Sequence, residues 1–183
     1  MFDIEKFIAD CTTALDETAP EMAAREVVAA AVTDPAAVMK ALGEPTKAGL
    51  FTLHRSDKLT VLNLVWGPEM ELMPHDHAMW AAIGIYTGKE TNTFWRRSEE
   101  NGLERLGTKD MEARGAVWLG DSAIHSVKNP LTKLTGALHV YGGDFFDADR
   151  HEWDVETLEE APYDVEKARR LFEESNARLA AAE

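Results

Sequence analysis

The segment Met73-Pro74-His75-Asp76-His77, followed closely by Ala81-Ala82-Ile83-Gly84-Ile85, is the most informative part of this chain. Residues i and i+2 of an extended strand point to the same side, so His75 and His77 would present two imidazoles to one point. Such a pair can chelate a metal ion. An isolated His-x-His pair is more often part of a solvated strand or loop, so the interpretation depends on the rest of the chain.

Composition limits the classes of protein to consider. The chain has 183 residues, of which 45% are hydrophobic, and this predicts one globular domain over 1–183 with a sizeable core. Its 33 acidic and 19 basic residues give a net charge of -14, which repels phosphate backbones and anionic membranes. We therefore expect neither a nucleic acid nor a membrane as partner.

The sequence also indicates a compartment. Cys11 is the single cysteine and cannot form an internal disulfide, which fits a reducing environment. No basic segment leads into an apolar signal core near the N-terminus, and no apolar run approaches about 18 residues. A cytoplasmic protein is expected, and the sequence leaves its oligomeric state open.

Residues 1–48 carry a helical pattern, with apolar side chains at 3.6-residue spacing. Cys11 lies in this pattern, which predicts a small core residue rather than a reactive thiol. Pro20 and Pro35 suit the first positions of a second and a third helix, and Gly43 suits the end of the third. No candidate catalytic residue lies in this segment.

Residues 49–150 change to short runs rich in β-branched and aromatic residues, separated by turn residues at fairly even intervals. The expected strands are 50–54, 59–66, 70–73, 81–87, 90–97, 103–108, 116–119, 124–128 and 134–141. This pattern predicts a mainly β fold, an antiparallel sandwich or barrel. Residues 151–183 indicate an irregular acidic stretch and a helix from about Asp164. We expect that helix and the N-terminal helices to pack outside the barrel.

A third histidine strengthens the metal hypothesis. His125 follows the turn at Gly120-Asp121 on a strand that would carry it back toward the barrel interior. A third imidazole approaching His75 and His77 would complete a facial set of three neutral nitrogen donors. Such a set leaves positions open on a six-coordinate metal.

These residues resemble the first motif of the cupin superfamily. That motif runs from a glycine through a His-x-His pair to a glutamate position and a closing glycine. It matches Gly67, His75, His77 and Gly88. Ala81 or Ala82 stands at the glutamate position, and loss of that ligand is typical of the three-histidine thiol dioxygenases, such as cysteine dioxygenase and 3-mercaptopropionate dioxygenase.

The second cupin motif, from glycine to histidine to asparagine, is similar to Gly120, His125 and Asn129. The resemblance covers roughly residues 50–150 and implies a double-stranded β-helix, a jelly-roll-like barrel. It also implies Fe(II) held by His75, His77 and His125, although zinc, nickel or manganese could occupy such a site in preparations.

A further match lies on the strand predicted at 134–141. In the thiol dioxygenases a Ser-x-His-x-Tyr run places a hydrogen-bonded trio beside the iron, and here it reads Ala137, His139 and Tyr141. Strand alternation puts His139 and Tyr141 on one side. The resemblance implies that Tyr141 faces substrate and oxygen and that His139 orients it. Taken alone, the pair is also typical of a barrel lining without a catalytic role.

The acid group of a thiol substrate needs a cation. Cysteine dioxygenases supply an arginine on an early strand, where this chain has Leu53. The mercaptopropionate enzymes use an arginine shortly after the strand tyrosine, and Arg150 is the counterpart that the resemblance implies. A surface arginine among acidic neighbours is an equally weighted alternative. Trp80, close to the ligands, is a candidate for a wall of the substrate pocket.

The resemblance therefore implies a non-haem Fe(II)-dependent dioxygenase that uses O2 to oxidise the sulfur of a small thiol to a sulfinate. Two alternatives stay open. One is a metal-dependent cupin that acts on a different small molecule, which the missing serine and early arginine favour. The other is a non-catalytic cupin that binds a small molecule.

Overall fold

The fold is described from a computed structural model of residues 1–100 and 102–181. Its four helices are α1 Ile4–Ala14, α2 Pro20–Val32, α3 Pro35–Leu42 and α4 Val165–Ala181. Local sequence explains two of the helix starts. The side chain of Asp3 accepts a hydrogen bond from the backbone N–H of Lys6, and Asp34 accepts one from Ala37, so each caps a first turn.

In residues 1–100 and 102–181, eleven strands follow the helical segment, with the last two preceding α4. They are β1 Gly49–Arg55, β2 Thr60–Trp66, β3 Glu71–Asp76, β4 Ala81–Thr87, β5 Lys89–Ser98, β6 Gly102–Glu112, β7 Ala116–Leu119, β8 Ile124–Lys128, β9 Thr135–Tyr141, β10 His151–Trp153 and β11 Glu160–Pro162. All pairings between them are antiparallel.

The strands form two sheets, in the orders β1-β2-β9-β4-β7 and β11-β10-β3-β8-β5-β6. Side chains of both sheets meet in shared apolar clusters, for example Leu64 of β2 with Leu72 of β3 and Val127 of β8. Eight strands in two facing antiparallel sheets, β2-β9-β4-β7 and β3-β8-β5-β6, make a jelly roll. The fold class predicted from the sequence is confirmed.

The N-terminal helices cover the outer face of the five-stranded sheet. Ala82 and Tyr86 of β4 share an apolar cluster with Val28 and Val32 of α2, whereas Ala81, Ile83 and Ile85 point into the barrel. Gly84 allows α2 to approach β4 closely, because a Cβ there would lie 2.4 Å from a methyl group of Val28. Cys11 is a buried member of the same outer cluster, as its spacing predicts.

Helix α4 packs outside the strands, across one end of the barrel. Phe172 stacks on Trp66 with ring centroids 5.7 Å apart, and both belong to the cluster that contains Leu64 and Leu72. The side chain of Asn176 accepts from the backbone N–H of Ala48 at 2.7 Å and donates to its carbonyl at 3.0 Å. The helix thereby covers part of that end of the barrel interior.

The sequence did not predict β10 and β11, which lie in the stretch expected to be irregular. Each has only three residues, too few to show an alternating pattern, and β11 is exposed throughout. No helix in the described part of the chain is both long and apolar enough to cross a membrane.

Candidate metal centre and its cavity

Two neighbouring strands bring the three predicted ligands together. His75 of β3 and His125 of β8 are direct cross-strand partners, and His77 follows the last residue of β3. One nitrogen from each of the three rings lies within 4.8 Å of the others, and all three side chains are buried. The alternative of a solvated His-x-His pair therefore does not apply, and no carboxylate of the described residues joins the cluster.

Hydrogen bonds orient two of the rings. His75 Nδ1 lies 2.9 Å from the carbonyl oxygen of Met73, and His125 Nδ1 lies 2.8 Å from the amide oxygen of Asn92. Since both partners are acceptors, each Nδ1 carries the proton and each Nε2 keeps a free lone pair. A neutral imidazole of this tautomer is the form that binds a metal.

The electrostatics of the cluster favour neutral rings. Burial lowers the pKa of His75 to about 4, and its hydrogen bond to Met73 opposes that effect only in part. The pKa values of His77 and His125 are held well below the usual range, first by burial and then by the neighbouring histidines. Three uncharged nitrogen donors are therefore available at neutral pH.

The arrangement fits a divalent cation. His77 Nε2 lies 3.2 Å from His125 Nε2. Two nitrogens bound to one metal at about 2.1 Å, at roughly a right angle, would lie about 3 Å apart. Of the two alanines that the resemblance sets at the glutamate position, Ala81 points into the barrel and Ala82 toward the helices, and neither side chain can ligate. The three histidines could thus hold a divalent metal as an all-imidazole set.

His139 and Tyr141 face this cluster from β9 of the opposite sheet. His139 Nδ1 lies 2.9 Å from the Tyr141 hydroxyl, and the Tyr141 ring lies 5.1 Å from that of His77 between centroids. Burial is the main cause that raises the pKa of Tyr141. The phenol therefore stays protonated at neutral pH and can donate one hydrogen bond.

Glu90 is a functional candidate that the sequence analysis did not single out. This carboxylate is 0% exposed, accepts a hydrogen bond from the Trp66 indole at 2.6 Å, and lies 3.9 Å from His139 Nε2. The last distance is too long for a hydrogen bond, and the buried Nε2 has no partner among the described residues. Glu90 lies on the same face of β5 as Asn92, two residues away, but a solvated strand shows the same alternation, so no signal in the sequence singled it out.

Arg150 is buried rather than on the surface, so the alternative of a solvated arginine does not hold. It is 6% exposed, and its guanidinium carbon lies 4.0 Å from the ring centroid of Phe145 and 4.2 Å from that of Tyr163. One guanidinium nitrogen, Nη1, is buried without a hydrogen-bond partner in the described structure. Burial lowers the pKa of Arg150, but an arginine keeps its charge at neutral pH.

These groups border one cavity of about 310 Å³ inside the barrel. Its polar lining is formed by His75, His77, His125, His139, Tyr141, Arg150, Tyr163 and Arg169. The apolar lining comes from β1, β2, β3, β8 and α4 and from Phe145 and Phe146. The structure therefore brings together all the predicted ligands, the His139–Tyr141 pair and Arg150.

Trp80 does not line this cavity, which corrects the expectation that it walls the pocket. It packs with the apolar cluster under the N-terminal helices, and a Cβ on Gly142 would meet its indole at 2.1 Å. The reason is strand alternation, because Trp80 has the same parity as Ala82, which faces the helices, and not as Ala81.

No protein-family model matches the chain. Among solved structures it is similar to an RmlC-like cupin family protein with a double-stranded β-helix fold from Methanocaldococcus jannaschii, with 10% identity, 57% of this chain and 87% of that chain covered, and a TM-score of 0.48. It is also similar to a cupin 2 conserved barrel domain protein from Leptotrichia buccalis, with 14% identity, 54% of this chain and 42% of that chain covered, and a TM-score of 0.43. For oxalate decarboxylase from Bacillus subtilis the identity is 17%, 53% of this chain and 24% of that chain are covered, and the TM-score is 0.42. With TM-scores below 0.5, these likenesses carry no argument about activity.

Proposed function

We propose that this chain is an Fe(II)-dependent dioxygenase that oxidises the sulfur of a small thiol, such as 3-mercaptopropionate or a cysteine-like compound, to a sulfinate. The observation that carries the proposal is a cluster of three neutral imidazoles without a carboxylate, in a cavity that Tyr141 and Arg150 also line. In the reaction both atoms of O2 form bonds to sulfur, which gives up four electrons that O2 takes up.

The donor set suits this chemistry. His75, His77 and His125 would hold the metal, and three neutral ligands leave its double positive charge uncompensated. When bound, ferrous iron supplies open coordination positions and the redox chemistry with O2, and its charge favours the thiolate form of a ligating thiol. Zinc, nickel or manganese could occupy the same donors in preparations.

The other polar groups have roles that follow from their positions. Tyr141 keeps its proton and can donate a hydrogen bond to negative charge that develops on the reacting oxygen. His139, at 2.9 Å from that hydroxyl, orients it. Arg150 offers to the carboxylate of a mercapto acid a buried Nη1 that has no hydrogen-bond partner among the described residues.

One observation favours a second candidate, a different metal-dependent reaction of the same site on a small carbonyl compound. Ala137 offers no hydroxyl to His139, so the trio of the thiol dioxygenases is reduced here to a pair. In that case the same three histidines would bind a metal, but no thiol would be oxidised.

Oxygen uptake separates the candidates. We expect iron-loaded protein to consume O2 with 3-mercaptopropionate or cysteine and to form the sulfinate, detected by mass spectrometry. His125→Ala should lose most of the bound iron and the uptake, whereas His54→Ala, a change in β1, should keep both. No uptake with any thiol by protein that holds stoichiometric iron would contradict the thiol assignment and support the second candidate.

A further inference from the structure

The cavity extends beyond what a three-carbon thiol acid requires. Its volume of about 310 Å³ reaches the range of pockets that take drug-sized ligands, which begins near 300 Å³. The metal cluster and Arg150 account for only part of its lining. The remaining wall, here named the apolar arm, consists of Leu64, Trp66, Leu72, Val127, Ala168 and Phe172.

The apolar arm is a continuous apolar surface. Its six residues belong to one cluster that joins β2, β3 and β8 to helix α4. The indole N–H of Trp66 donates to Glu90, so the only polar group of the arm is already satisfied. Burial of apolar ligand surface against this wall would stabilise a complex.

The cavity mouth has the same character. Leu50, Phe146 and Val165 all line the cavity and are also among the large apolar side chains exposed to solvent. Exposed apolar residues that surround a pocket are typical of a route for apolar ligands. They come from β1, from the segment after β9 and from the first turn of α4.

The charges of the lining have one sign. Arg150 and Arg169 line the cavity, and no carboxylate does so among the described residues, although the whole chain carries a net charge of -14. Arg169 pairs with Glu166 at 2.7 Å, whereas Arg150 has no ion pair within the described residues. The buried charge of Arg150 therefore needs an anion from the ligand.

We infer that the substrate is an organic anion that carries an apolar alkyl or aryl substituent, with its acid group at Arg150 and the substituent in the apolar arm. Resting on the proposed function, this inference names the substrate class as a mercapto acid with an apolar substituent. It predicts that acids with such a substituent are preferred over the unsubstituted 3-mercaptopropionate.

Binding by the metal-free full chain tests the inference without any need for turnover. An NMR titration compares propionate, 3-phenylpropionate and the neutral 3-phenylpropanol. We expect 3-phenylpropionate to bind at least about tenfold more tightly than either of the other two, since it alone satisfies both Arg150 and the apolar arm. Equal affinities for propionate and 3-phenylpropionate would overturn the inference.

Two variants test separately where the apolar substituent and the acid group of the ligand bind. Ala168→Phe, which fills the apolar arm, should weaken 3-phenylpropionate about tenfold and spare propionate, while Ala177→Phe on the exposed side of α4 should change neither. Arg150→Met should weaken 3-phenylpropionate but not 3-phenylpropanol. Equal losses of affinity for all three ligands in Ala168→Phe would contradict the claim that the apolar arm binds the substituent.

Failure of this inference and failure of the proposed function would give different results. Tight binding of 3-phenylpropionate without thiol oxidation by iron-loaded protein would retain the apolar anion site and reject the dioxygenase. Oxidation of 3-mercaptopropionate with no preference for substituted acids would retain the dioxygenase and reject the inference.

Discussion

His125 Nδ1 and the amide oxygen of Asn92 lie 2.8 Å apart in the barrel interior, where both side chains are at most 2% exposed. Through this hydrogen bond Asn92 of β5 fixes the tautomer of His125, a candidate metal ligand on β8. Removal of such a partner typically lowers metal affinity 10–100-fold.

We therefore expect Asn92→Ala to lower the affinity for Fe(II) or Zn(II) by about 10–100-fold, as measured by competition with a chromophoric chelator. Asn92→Asp, which keeps an acceptor oxygen, should retain most of the affinity. Asn63→Ala is the matched control, because Asn63 is also buried and hydrogen-bonded, to Tyr86 at 2.8 Å. An equal effect of Asn63→Ala would show that general destabilisation is responsible.

Tyr141→Phe removes a hydroxyl that faces the metal cluster but does not belong to the ligand set. Metal content should therefore stay stoichiometric, while the rate of sulfinate formation falls by about 100-fold, as for loss of an oxyanion donor. Tyr86→Phe removes a buried hydroxyl on the outer face of β4 and should leave the rate unchanged. A Tyr141→Phe enzyme with the rate of the parent would exclude the tyrosine from the reaction.

Glu90→Gln keeps the size of the side chain and an acceptor for Trp66 but removes the negative charge 3.9 Å from His139 Nε2. That charge favours a proton on Nε2 and so opposes the Nδ1–H tautomer, in which His139 donates to Tyr141 and leaves the phenol proton for the reacting oxygen. Nitrogen-15 NMR should show a mixture of the two His139 tautomers in the parent and a larger Nδ1–H fraction in Glu90→Gln, together with a rate of sulfinate formation at least equal to that of the parent. The exposed Glu71→Gln serves as control, and an identical His139 spectrum in Glu90→Gln would count against the role of Glu90.

The metal-free protein should lose stability in mild acid. An unfolded histidine binds its proton near pH 6.5, whereas burial lowers the pKa of His75 to about 4 in the fold. Between these values the unfolded chain binds more protons, so the free energy of unfolding falls as pH falls from 6.5 to 4. Each buried histidine of this kind contributes about 1.4 kcal/mol per pH unit.

Urea unfolding at several pH values measures this slope. His75→Gln should make it shallower, because one shifted imidazole is gone, while His54→Gln in β1 should leave it unchanged. A slope that is the same in all three proteins would mean that His75 does not contribute to the acid sensitivity.

Asn176→Ala removes both hydrogen bonds between α4 and Ala48. We expect a loss of about 1–3 kcal/mol in the free energy of unfolding. Faster amide exchange should be confined to α4 and the cavity wall that it forms. Glu174→Ala, on the exposed side of the same helix, should change neither quantity, and uniform exchange over the barrel would contradict local docking.

The sequence predicted the ligand cluster because its signal is local. His75 and His77 are two residues apart on an extended segment, so their side chains face the same side, and the turn before His125 starts the strand that carries it. The antiparallel pairing of β3 with β8 then brings the three histidines together. The same alternation, applied to Trp80, would have placed it with Ala82 under the helices. For Trp80, strand alternation was therefore a better guide to its position than its closeness in sequence to the histidines.

Other parts of the site have no local signal. Arg150 stands between acidic neighbours, and only the packing of Phe145 and Tyr163 on its guanidinium shows that it is buried. Glu90 and Asn92 alternate with Thr91 and Thr93 in a pattern that a solvated strand would also show. Their interior position follows from pairing between β5 and β8, which a single sequence does not specify.

Because α4 lies across the end of the barrel, the candidate metal ligands and part of the cavity wall come from different segments of the chain. The candidate ligands lie between residues 75 and 125, whereas Ala168 and Phe172 of α4 supply one wall of the cavity. Substitutions on the inner face of this helix can therefore reshape the space offered to a ligand while the three-histidine cluster stays intact. The last helix is thus the part of the chain where the choice of ligand can change independently of the candidate metal centre.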